Sequence, residues 1–204
     1  QRINSVMNKT AEAVAAEKRA AGYMAAEMVK DGMVVGLGTG STVHYAIERL
    51  AERVKAGLQV TGIPTSFQTA MRARKAGIRL TTLDDNPVPD IAIDGADEVE
   101  QAFRLIKGRG AAHLREKCVA AAAQQFVVVV DEAKIVRELG KVAVPVEVLP
   151  FAVAPVMARF KSLGGKPVIR EAVKKDGPVI TDNGNFIVDC QFASIGDPLE
   201  LEAA

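Results

Sequence analysis

The stretch MVVGLGTGST, residues 33–42, joins a short apolar run to three glycines and three hydroxyl side chains. Residues 33–37 are expected to form a short buried strand, and Thr39 or Ser41 then begins a helix that continues to about Arg53. A glycine turn between a strand and a helix gathers backbone N–H groups that can bind an anion. The stretch therefore predicts the first strand–helix unit of an α/β sheet, with either a small anion site or a plain connection at the turn.

Two common nucleotide-binding patterns do not fit this turn. A Walker loop has Lys directly before its Ser or Thr, and the stretch contains no Lys. A dinucleotide fingerprint has a third glycine where this chain has Val43, and an acidic residue after the next strand, where residues 62–65 read GIPT. An anion site at this turn is therefore predicted to suit a single phosphate group.

The same alternation of apolar runs and helical patterns continues along the chain. Strands are predicted at residues 60–63, 78–83, 91–93 and 126–130, and helices at residues 10–30, 67–76 and 111–124. Strands that alternate with helices predict a mostly parallel sheet covered by helices on both faces. We therefore expect an α/β catalytic domain over residues 1–141.

The pattern changes near residue 141. Residues 142–148 are interrupted by Pro145, which favours an edge strand or a linker. A helix at 152–163, strands at 168–173 and 186–191, and a helix that begins at Asp197 are predicted to follow. These elements predict a small α+β domain over residues 142–204. Because the last helix has no C-cap before the chain stops, we expect the C-terminal end to be truncated.

Composition argues against several classes of protein. The net charge of +1 gives no general attraction to nucleic acid or to a membrane surface. The longest apolar runs, such as residues 126–130, are far too short to span a bilayer. Cys118 and Cys190 are expected to be free thiols in a reducing cytosol, and His44 and His113 lack the cysteine cluster of a zinc site. We expect a cytoplasmic protein without nucleic-acid or membrane partners.

A second polar stretch, IAIDGADEV at residues 91–99, carries acids at the end of a predicted strand. Asp94 and Asp97 fall where ligands bind in open α/β sheets. The alternative is a solvent-exposed acidic turn, but Gly95 and Ala96 between the acids favour a pocket. No His or further acid stands at metal-ligand spacing, so no metal is expected.

A third stretch, LIKGRGAAHLREK at residues 105–117, combines a glycine-rich loop with a helix. Lys107 and the amides of the loop can stabilise a developing oxyanion. Glu116 lies on the helix and is either a general base or an ordinary surface residue paired with its basic neighbours. His113 is interpreted as a residue on the helix face rather than as a catalyst.

The three stretches in this order, with the change of pattern near residue 141, resemble the type A ribose-5-phosphate isomerases. The resemblance continues through residues 126–134, 145–150 and 181–185. It implies a mostly parallel α/β sheet covered by helices on both faces, with a smaller ferredoxin-like α+β domain. It also implies interconversion of ribose 5-phosphate and ribulose 5-phosphate in the pentose phosphate pathway, without a cofactor, by a homodimer or homotetramer.

The resemblance assigns roles to individual residues. Glu116 matches the family's proton acceptor, which moves a proton between C2 and C1 through an enediolate, and Lys107 stabilises the oxyanion. Asp94 and Asp97 match acids that contact the sugar hydroxyls and help to open the ring. The further residues implied to contact the substrate are Lys18, Thr39, Gly40, Ser41, Thr42, Gly95, Ala96, Gly108, Arg109, Gly110 and Lys134.

The sequence departs from the family pattern in two places, and two other functions are open alternatives. Arg109 stands where many relatives have glycine, so its side chain is expected to point away from the sugar or to contact its distal part. Relatives continue beyond the helix at residues 199–201. One rival function is a sugar-phosphate deaminase, which is expected to have a catalytic His in its site. The other is a non-catalytic sugar-phosphate sensor, which an N-terminal helix-turn-helix segment would indicate. The sequence contains neither a His in such a motif nor a helix-turn-helix pattern.

Overall fold

The computed structural model describes residues 9–203, in which helices and strands alternate along most of the chain. In order, its elements are α1 (Ala11–Glu27), β1 (Val34–Leu37), α2 (Ser41–Lys55), β2 (Thr61–Pro64), α3 (Phe67–Lys75), β3 (Arg79–Leu80), β4 (Ile91–Asp94), β5 (Glu98–Val99), β6 (Leu105–Ile106), α4 (His113–Ala122), β7 (Phe126–Val128), a 3-10 turn (Glu132–Lys134), β8 (Val144–Val148), a 3-10 turn (Pro150–Ala152), α5 (Val153–Ser162), β9 (Lys166–Ile169), β10 (Phe186–Gln191) and α6 (Pro198–Glu202). No helix in this part of the chain is long and apolar enough to cross a membrane.

The main sheet is parallel and has the strand order β3-β2-β1-β4-β7. Strand β1 lies at its centre, where Val35 is in register with Gly62 of β2 and with Ile91 of β4. The chain builds outward from β1 in one direction and then returns to its other side with β4. Ligands bind at such a reversal, outside the carboxyl ends of the strands. The fold therefore predicts a ligand site at the carboxyl ends of β1 and β4.

Helices cover both faces of this sheet, as the sequence predicts. On one face, Leu37 and Ile93 belong to a buried apolar cluster that includes Val43 and Leu50 of α2. On the other face, Ala92 packs with Val119 of α4 and Ile63 of β2. Successive strand residues point to opposite faces, so the two helical layers draw on alternate positions of the same strands. The α/β class is confirmed.

Helix α4 packs unusually close to the sheet because Gly36 offers no side chain there. A Cβ on Gly36 would lie 2.5 Å from Val119 Cγ1 and 2.9 Å from Ala92 Cβ. Such distances are well below normal carbon–carbon contact, so a larger residue would push α4 away from β1 and β4. The close contact holds the first turns of α4, including Glu116, near the carboxyl ends of these strands.

The small antiparallel hairpin of β5 and β6 was not predicted. It pairs Glu98 with Ile106, and the N–H of Asp97 donates to the carbonyl of Ile106 over 2.7 Å. The hairpin returns the chain so that Lys107 follows directly on Ile106, next to the acids after β4. Glu98 is buried and accepts hydrogen bonds from the N–H groups of Gly140 and Val142, which ties the hairpin to the start of the second unit.

The second unit is a three-stranded antiparallel sheet, in the order β8-β10-β9, covered by α5. Strand β8 lies at the edge, which confirms the interpretation of its proline-interrupted sequence. The strand predicted at 168–173 is wrong in its bounds, because β9 covers Lys166–Ile169 and its pairing with β10 ends after the bond from the Arg170 N–H to Ile187. We propose the boundary between the two units at residues 141 and 142.

Candidate active site

The glycine turn after β1 and the acid at the end of β4 form one hydrogen-bonded unit. Asp94 Oδ1 accepts from the N–H of Thr39 at 3.2 Å and from the N–H of Gly95 at 2.7 Å. A Cβ on Gly38 would lie 2.2 Å from that same oxygen. A residue with a side chain at position 38 would therefore displace the carboxylate, so glycine is required for the acid and the turn to meet.

Three predicted residues come together beside this turn. Lys107 Nζ lies 3.0 Å from Asp94 Oδ2 and 3.3 Å from Glu116 Oε2, and it also donates to the carbonyl of Gly95. Asp94 is 3% exposed and Glu116 is 4% exposed. Apart from its ion pair with Lys107, Asp94 Oδ2 has no hydrogen-bond partner among residues 9–203. That buried oxygen therefore has acceptor capacity that the described residues leave unused.

Burial changes the acidity of both carboxyl groups. Burial, and next the nearby negative charge of Asp94, raise the pKa of Glu116 to about 7, although Lys107 opposes the rise. Burial also raises the pKa of Asp94, again against the attraction of Lys107. A carboxyl group whose pKa lies close to the working pH can both accept and return a proton. A pKa near 7 is one of the properties that a general base needs.

The loop after β6 is anchored through its backbone. The N–H of Arg109 donates to Asp97 Oδ2 at 3.0 Å. The Arg109 residue itself is exposed, and whether its side chain points away from the sugar or contacts its distal part stays a prediction. Gly110 lies beside Thr39: a Cβ placed on it would be 3.9 Å from Thr39 Cγ2. The loop therefore extends from the acids to the glycine turn.

The start of α2 carries the features of an anion site. Gly40 is its N-cap, with a φ of 143°, and the following N–H groups have no earlier helical carbonyl to bind. Lys18 Nζ donates to Ser41 Oγ at 3.0 Å and lies 3.8 Å from Asp131 Oδ2. Lys134, which is half-buried, belongs to the 3-10 turn that Asp131 caps. A cation at a helix N-terminus is a suitable environment for a phosphate.

A cluster of buried hydroxyl groups supports this turn, and it was not predicted. Thr39 Oγ1 lies 2.9 Å from Thr65 Oγ1, 2.8 Å from Ser66 Oγ and 3.2 Å from Thr69 Oγ1. Thr65, Ser66 and Thr69 are buried at the junction of β2 and α3. The feature of the sequence that could have predicted this cluster is the group of hydroxyl residues at the carboxyl end of the strand next to β1. The Thr39 hydroxyl therefore faces the interior, and a role for Thr39 in binding substrate stays a prediction.

The second unit contacts α4 directly next to Glu116. Arg115 donates to Asn183 Oδ1 at 2.7 Å and to the carbonyl of Asp182 at 2.9 Å. Asp182 Oδ2 in turn accepts from the N–H of Phe67, the first residue of α3. This contact of Arg115 was not predicted, because its partners lie 67 and 68 residues away in the sequence.

Comparison with known proteins shows the family to which the chain belongs. The family model of ribose 5-phosphate isomerase A (phosphoriboisomerase A) matches residues 61–204. The chain belongs to the ribose 5-phosphate isomerase A family. It is 70% identical to ribose-5-phosphate isomerase A of Methanoregula boonei over 197 residues, which are 97% of this chain and 83% of that protein. The corresponding protein of Methanosarcina acetivorans is 59% identical over 91% of this chain and 79% of its own length.

Solved structures of the ribose 5-phosphate isomerase A family have the same fold. The enzyme from Methanocaldococcus jannaschii superposes with a TM-score of 0.89 at 49% identity, over 92% of this chain and 84% of its own. A D-ribose-5-phosphate isomerase in complex with phospho-erythronic acid gives a TM-score of 0.90 at 44% identity, over 93% and 84% of the two chains. The chain is thus a member of a family of isomerases.

The structure of this family member brings most of the predicted residues to one edge of the sheet. Lys107 contacts both Asp94 and Glu116, while Asp97 contacts only the neighbouring loop among the side-chain interactions described. The turn at residues 39–42 adjoins Asp94 through its backbone and Lys18 through Ser41. Within residues 9–203, no group of three or more His, Cys, Asp or Glu residues is arranged to hold a metal ion.

Proposed function

We propose that this protein interconverts D-ribose 5-phosphate and D-ribulose 5-phosphate, with Glu116 as the general base. The observation that carries the proposal is the buried Glu116 carboxyl group, with a pKa raised to about 7 and an ammonium group 3.3 Å away. Membership of the isomerase family supports the substrate class. The pentose phosphate pathway, a cytoplasmic location and a homodimer or homotetramer are part of the same proposal.

The phosphate end of the sugar binds at the start of α2. The N–H groups of Gly40, Ser41 and Thr42 and the ammonium group of Lys18 provide the donors, and Lys134 adds a second positive charge nearby. Hydrogen bonds between charged partners are stronger than neutral ones, so this arrangement suits a dianion. The Ser41 hydroxyl, already in contact with Lys18, completes the phosphate contacts.

The other end of the sugar lies against the acids and the loop. Asp94 and Asp97, with Gly95 and Ala96 between them, accept hydrogen bonds from sugar hydroxyls and assist ring opening. The open-chain aldose then has its C1 carbonyl near Lys107 and the amides of residues 108–110. These donors stabilise the negative charge that develops on O1 when the C2 proton is removed.

The isomerisation transfers one proton between carbons and one between oxygens. Glu116 takes the proton from C2, which gives an enediolate, and returns it to C1. The proton of the C2 hydroxyl moves to O1, and C2 becomes the carbonyl carbon of the ketose. Burial of Glu116 and Asp94 keeps water from the reacting atoms, which protects the enediolate from side reactions. Substrate and product are isomers, so these steps consume no oxidant, reductant or other co-reactant.

Replacement of Glu116 by Gln tests the base. The amide is nearly isosteric but cannot accept the proton, so kcat for ribose 5-phosphate should fall by about 10²–10⁴-fold, the usual contribution of a general base. Binding of ribose 5-phosphate, measured by calorimetry, should be nearly unchanged, because the phosphate contacts remain. Ribulose 5-phosphate formation by the unaltered protein should also persist in EDTA.

Glu138→Gln is the matched control, because Glu138 is exposed and makes no side-chain contact among those described. It should retain full activity. Near-normal turnover by Glu116→Gln would contradict the role of Glu116 while leaving the substrate assignment intact. Failure of the unaltered protein to convert ribose 5-phosphate would contradict the proposed reaction itself.

A further inference from the structure

Arg170 reaches from the second unit to the loop beside the acids. It directly follows β9, and its side chain is 18% exposed. Its Nη1 lies 2.9 Å from the carbonyl oxygen of Arg109 and 3.5 Å from that of Gly108. These contacts join residues that are 61 and 62 positions apart in the sequence. The guanidinium group is therefore bound to the backbone of the loop that carries Lys107.

Asp189 and the local backbone hold this guanidinium group in place. Arg170 Nε donates to Asp189 Oδ2 at 2.7 Å, and Nη2 donates to Asp189 Oδ1. The N–H of Arg170 donates to the carbonyl of Ile187, and its own carbonyl accepts from the N–H of Val179. A planar guanidinium group that binds a carboxylate through two parallel bonds has a defined direction. The remaining donor, Nη1, is thus directed at the loop before any ligand binds.

The orientation of two peptide groups in the loop follows from these contacts. In a trans peptide the C=O and N–H bonds point in opposite directions. The peptide between Gly108 and Arg109 has its C=O toward Arg170 and its N–H on Asp97, so it is held from both sides. The next peptide has its C=O on Arg170, so the N–H of Gly110 points away from the second unit.

The N–H of Gly110 is free to bind a ligand. It makes no hydrogen bond within the described part of the chain, and Gly110 lies beside Thr39 of the glycine turn. A Cβ placed on Gly110 would be 3.9 Å from Thr39 of that turn, and the same loop carries Lys107, which contacts both Asp94 and Glu116. A backbone donor fixed in this direction is suited to a developing oxyanion.

We propose that Arg170 is a positioning residue, which orients the loop of residues 107–110 so that the Gly110 N–H can donate a hydrogen bond to the oxyanion that forms during the isomerisation. This inference rests on the proposed function and extends it to a residue of the second unit. Arg170 acts through the loop and does not touch the substrate. Lys at this position cannot bind Asp189 through two parallel bonds and Arg109 at the same time, because its ammonium group is a single point of charge.

Arg170→Lys is the test, with Lys117→Gln as the matched control. Lys117 also links α4 to the second unit, through an exposed ion pair with Glu202, but it does not touch the loop. In Arg170→Lys, kcat should fall by roughly 10–100-fold, less than the 10²–10³-fold of a deleted oxyanion donor, because the donor is misplaced rather than removed. KM and calorimetric binding of inorganic phosphate should be unchanged. The control should match the unaltered protein in each measurement.

Two further measurements separate positioning from general destabilisation. Amide hydrogen exchange at Arg109 and Ala111, whose N–H groups are bonded to Asp97 and Gly108, should accelerate in Arg170→Lys at temperatures where both proteins are fully folded. Asp189→Asn should lower kcat as well, and the double variant should be no worse than Arg170→Lys alone. Residues that act as one unit show such non-additive effects.

Unchanged kcat in Arg170→Lys, a change in KM alone, or unaltered exchange at Arg109 and Ala111 would each overturn the inference. The exchange measurement does not depend on catalysis. If the unaltered protein fails to isomerise ribose 5-phosphate, the proposed function and the oxyanion role fall together, and accelerated exchange still establishes that Arg170 holds the loop.

Discussion

At the scale of single residues, one ammonium group serves two buried carboxyl groups. Lys107 lies within 3.3 Å of oxygens of both Asp94 and Glu116. When both acids are ionised, this trio carries one more negative than positive charge in a region with little water. Burial disfavours that state, and the result is the raised pKa of Glu116. Near neutral pH the Glu116 carboxyl group can therefore both bind and release a proton.

The pH dependence of activity should report this carboxyl group. Glu116 must be ionised to accept a proton, so kcat/KM should fall about tenfold per pH unit below a limit near pH 7. Asp94→Asn should move this acid limit to lower pH, because the negative charge of Asp94 is a cause of the raised pKa of Glu116. Lys107 and Asp97, the other charged groups that act on Glu116, are unchanged in this variant.

The position of the acid limit is measured independently of the size of kcat, which Asp94→Asn is also expected to lower. Asp84→Asn is the control, since Asp84 is exposed and lies in the turn before β4. It should leave the profile unchanged. An acid limit near the ordinary glutamate value of 4.5 in the unaltered protein would show that Glu116 does not control the reaction.

The residues predicted from sequence are those within short motifs. Asp94, Lys107 and Glu116 stand in glycine-containing stretches at predicted strand and helix ends, and the structure places both carboxyl groups within 3.3 Å of the Lys107 ammonium group. Thr69 and Arg170 were missed, because each meets its partners only through the fold. Thr69 faces Thr39 from 30 residues away, and no local spacing indicates that contact.

At the scale of secondary-structure elements, the site depends on how closely β1 and β4 approach each other beyond their ends. Gly38→Ala tests this approach, since the new Cβ would lie 2.2 Å from Asp94 Oδ1. We expect the variant to lose most of its activity and about 1–3 kcal/mol of unfolding free energy, the usual cost of overpacking. Urea unfolding and the isomerase assay measure the two effects.

Gly196→Ala is the appropriate comparison for this substitution. Gly196 has open space around the position of a Cβ and no left-handed backbone angle. Its replacement should leave activity unchanged and alter stability by less than about 0.5 kcal/mol. Equal stability and activity of Gly38→Ala and the unaltered protein would mean that the turn can move without displacing Asp94.

Most helices and parallel strands could be predicted because their apolar patterns extend over several residues. The hairpin of β5 and β6 could not, since each of its strands has two residues and no period can be recognised. The strand predicted at 168–173 ends early for another reason. After the bond from the Arg170 N–H to Ile187, the chain pairs with residues 177–179 instead of with β10, and the apolar pattern does not show this change of partner.

At the scale of the whole molecule, the second unit is attached to the first around α4. Glu147 of β8 is the centre of one such attachment. It accepts from Thr181, Asn183 and Asn185 through side chains and from the N–H of Leu114. Burial alone would raise its pKa, but these hydrogen bonds outweigh burial and lower it.

Glu147→Gln should therefore destabilise the protein in a pH-dependent manner. A carboxyl group with a lowered folded pKa contributes stability above its unfolded value of 4.5, and that contribution disappears as the pH falls through the lower folded value. At about pH 7 we expect a loss of about 1 kcal/mol, at the low end for hydrogen bonds to a charged group, because Glu147 is half-buried and solvent screens its charge. The difference from the unaltered protein should shrink as the pH approaches about 4 and below.

Urea titrations at several pH values measure this effect, with Glu138→Gln as the control for loss of an exposed acid. The control should show little change at any pH. If the free energies of unfolding of Glu147→Gln and the unaltered protein differ by the same amount at every pH, the charge of Glu147 does not contribute to stability.

The central position of β1 also has a consequence for the order in which the molecule is assembled. The N–H of Thr39 meets its carboxylate acceptor 55 residues later, and Arg170 meets the loop 61 residues after Arg109. Contacts between distant parts of a chain form slowly, because loop-closure entropy is lost before they form. During synthesis, which begins at the N-terminus, the glycine turn emerges long before its acid and longer still before the arginine that fixes the loop. The site of a newly made chain is therefore complete only after the segment that contains Arg170 has been synthesised and has folded against the loop.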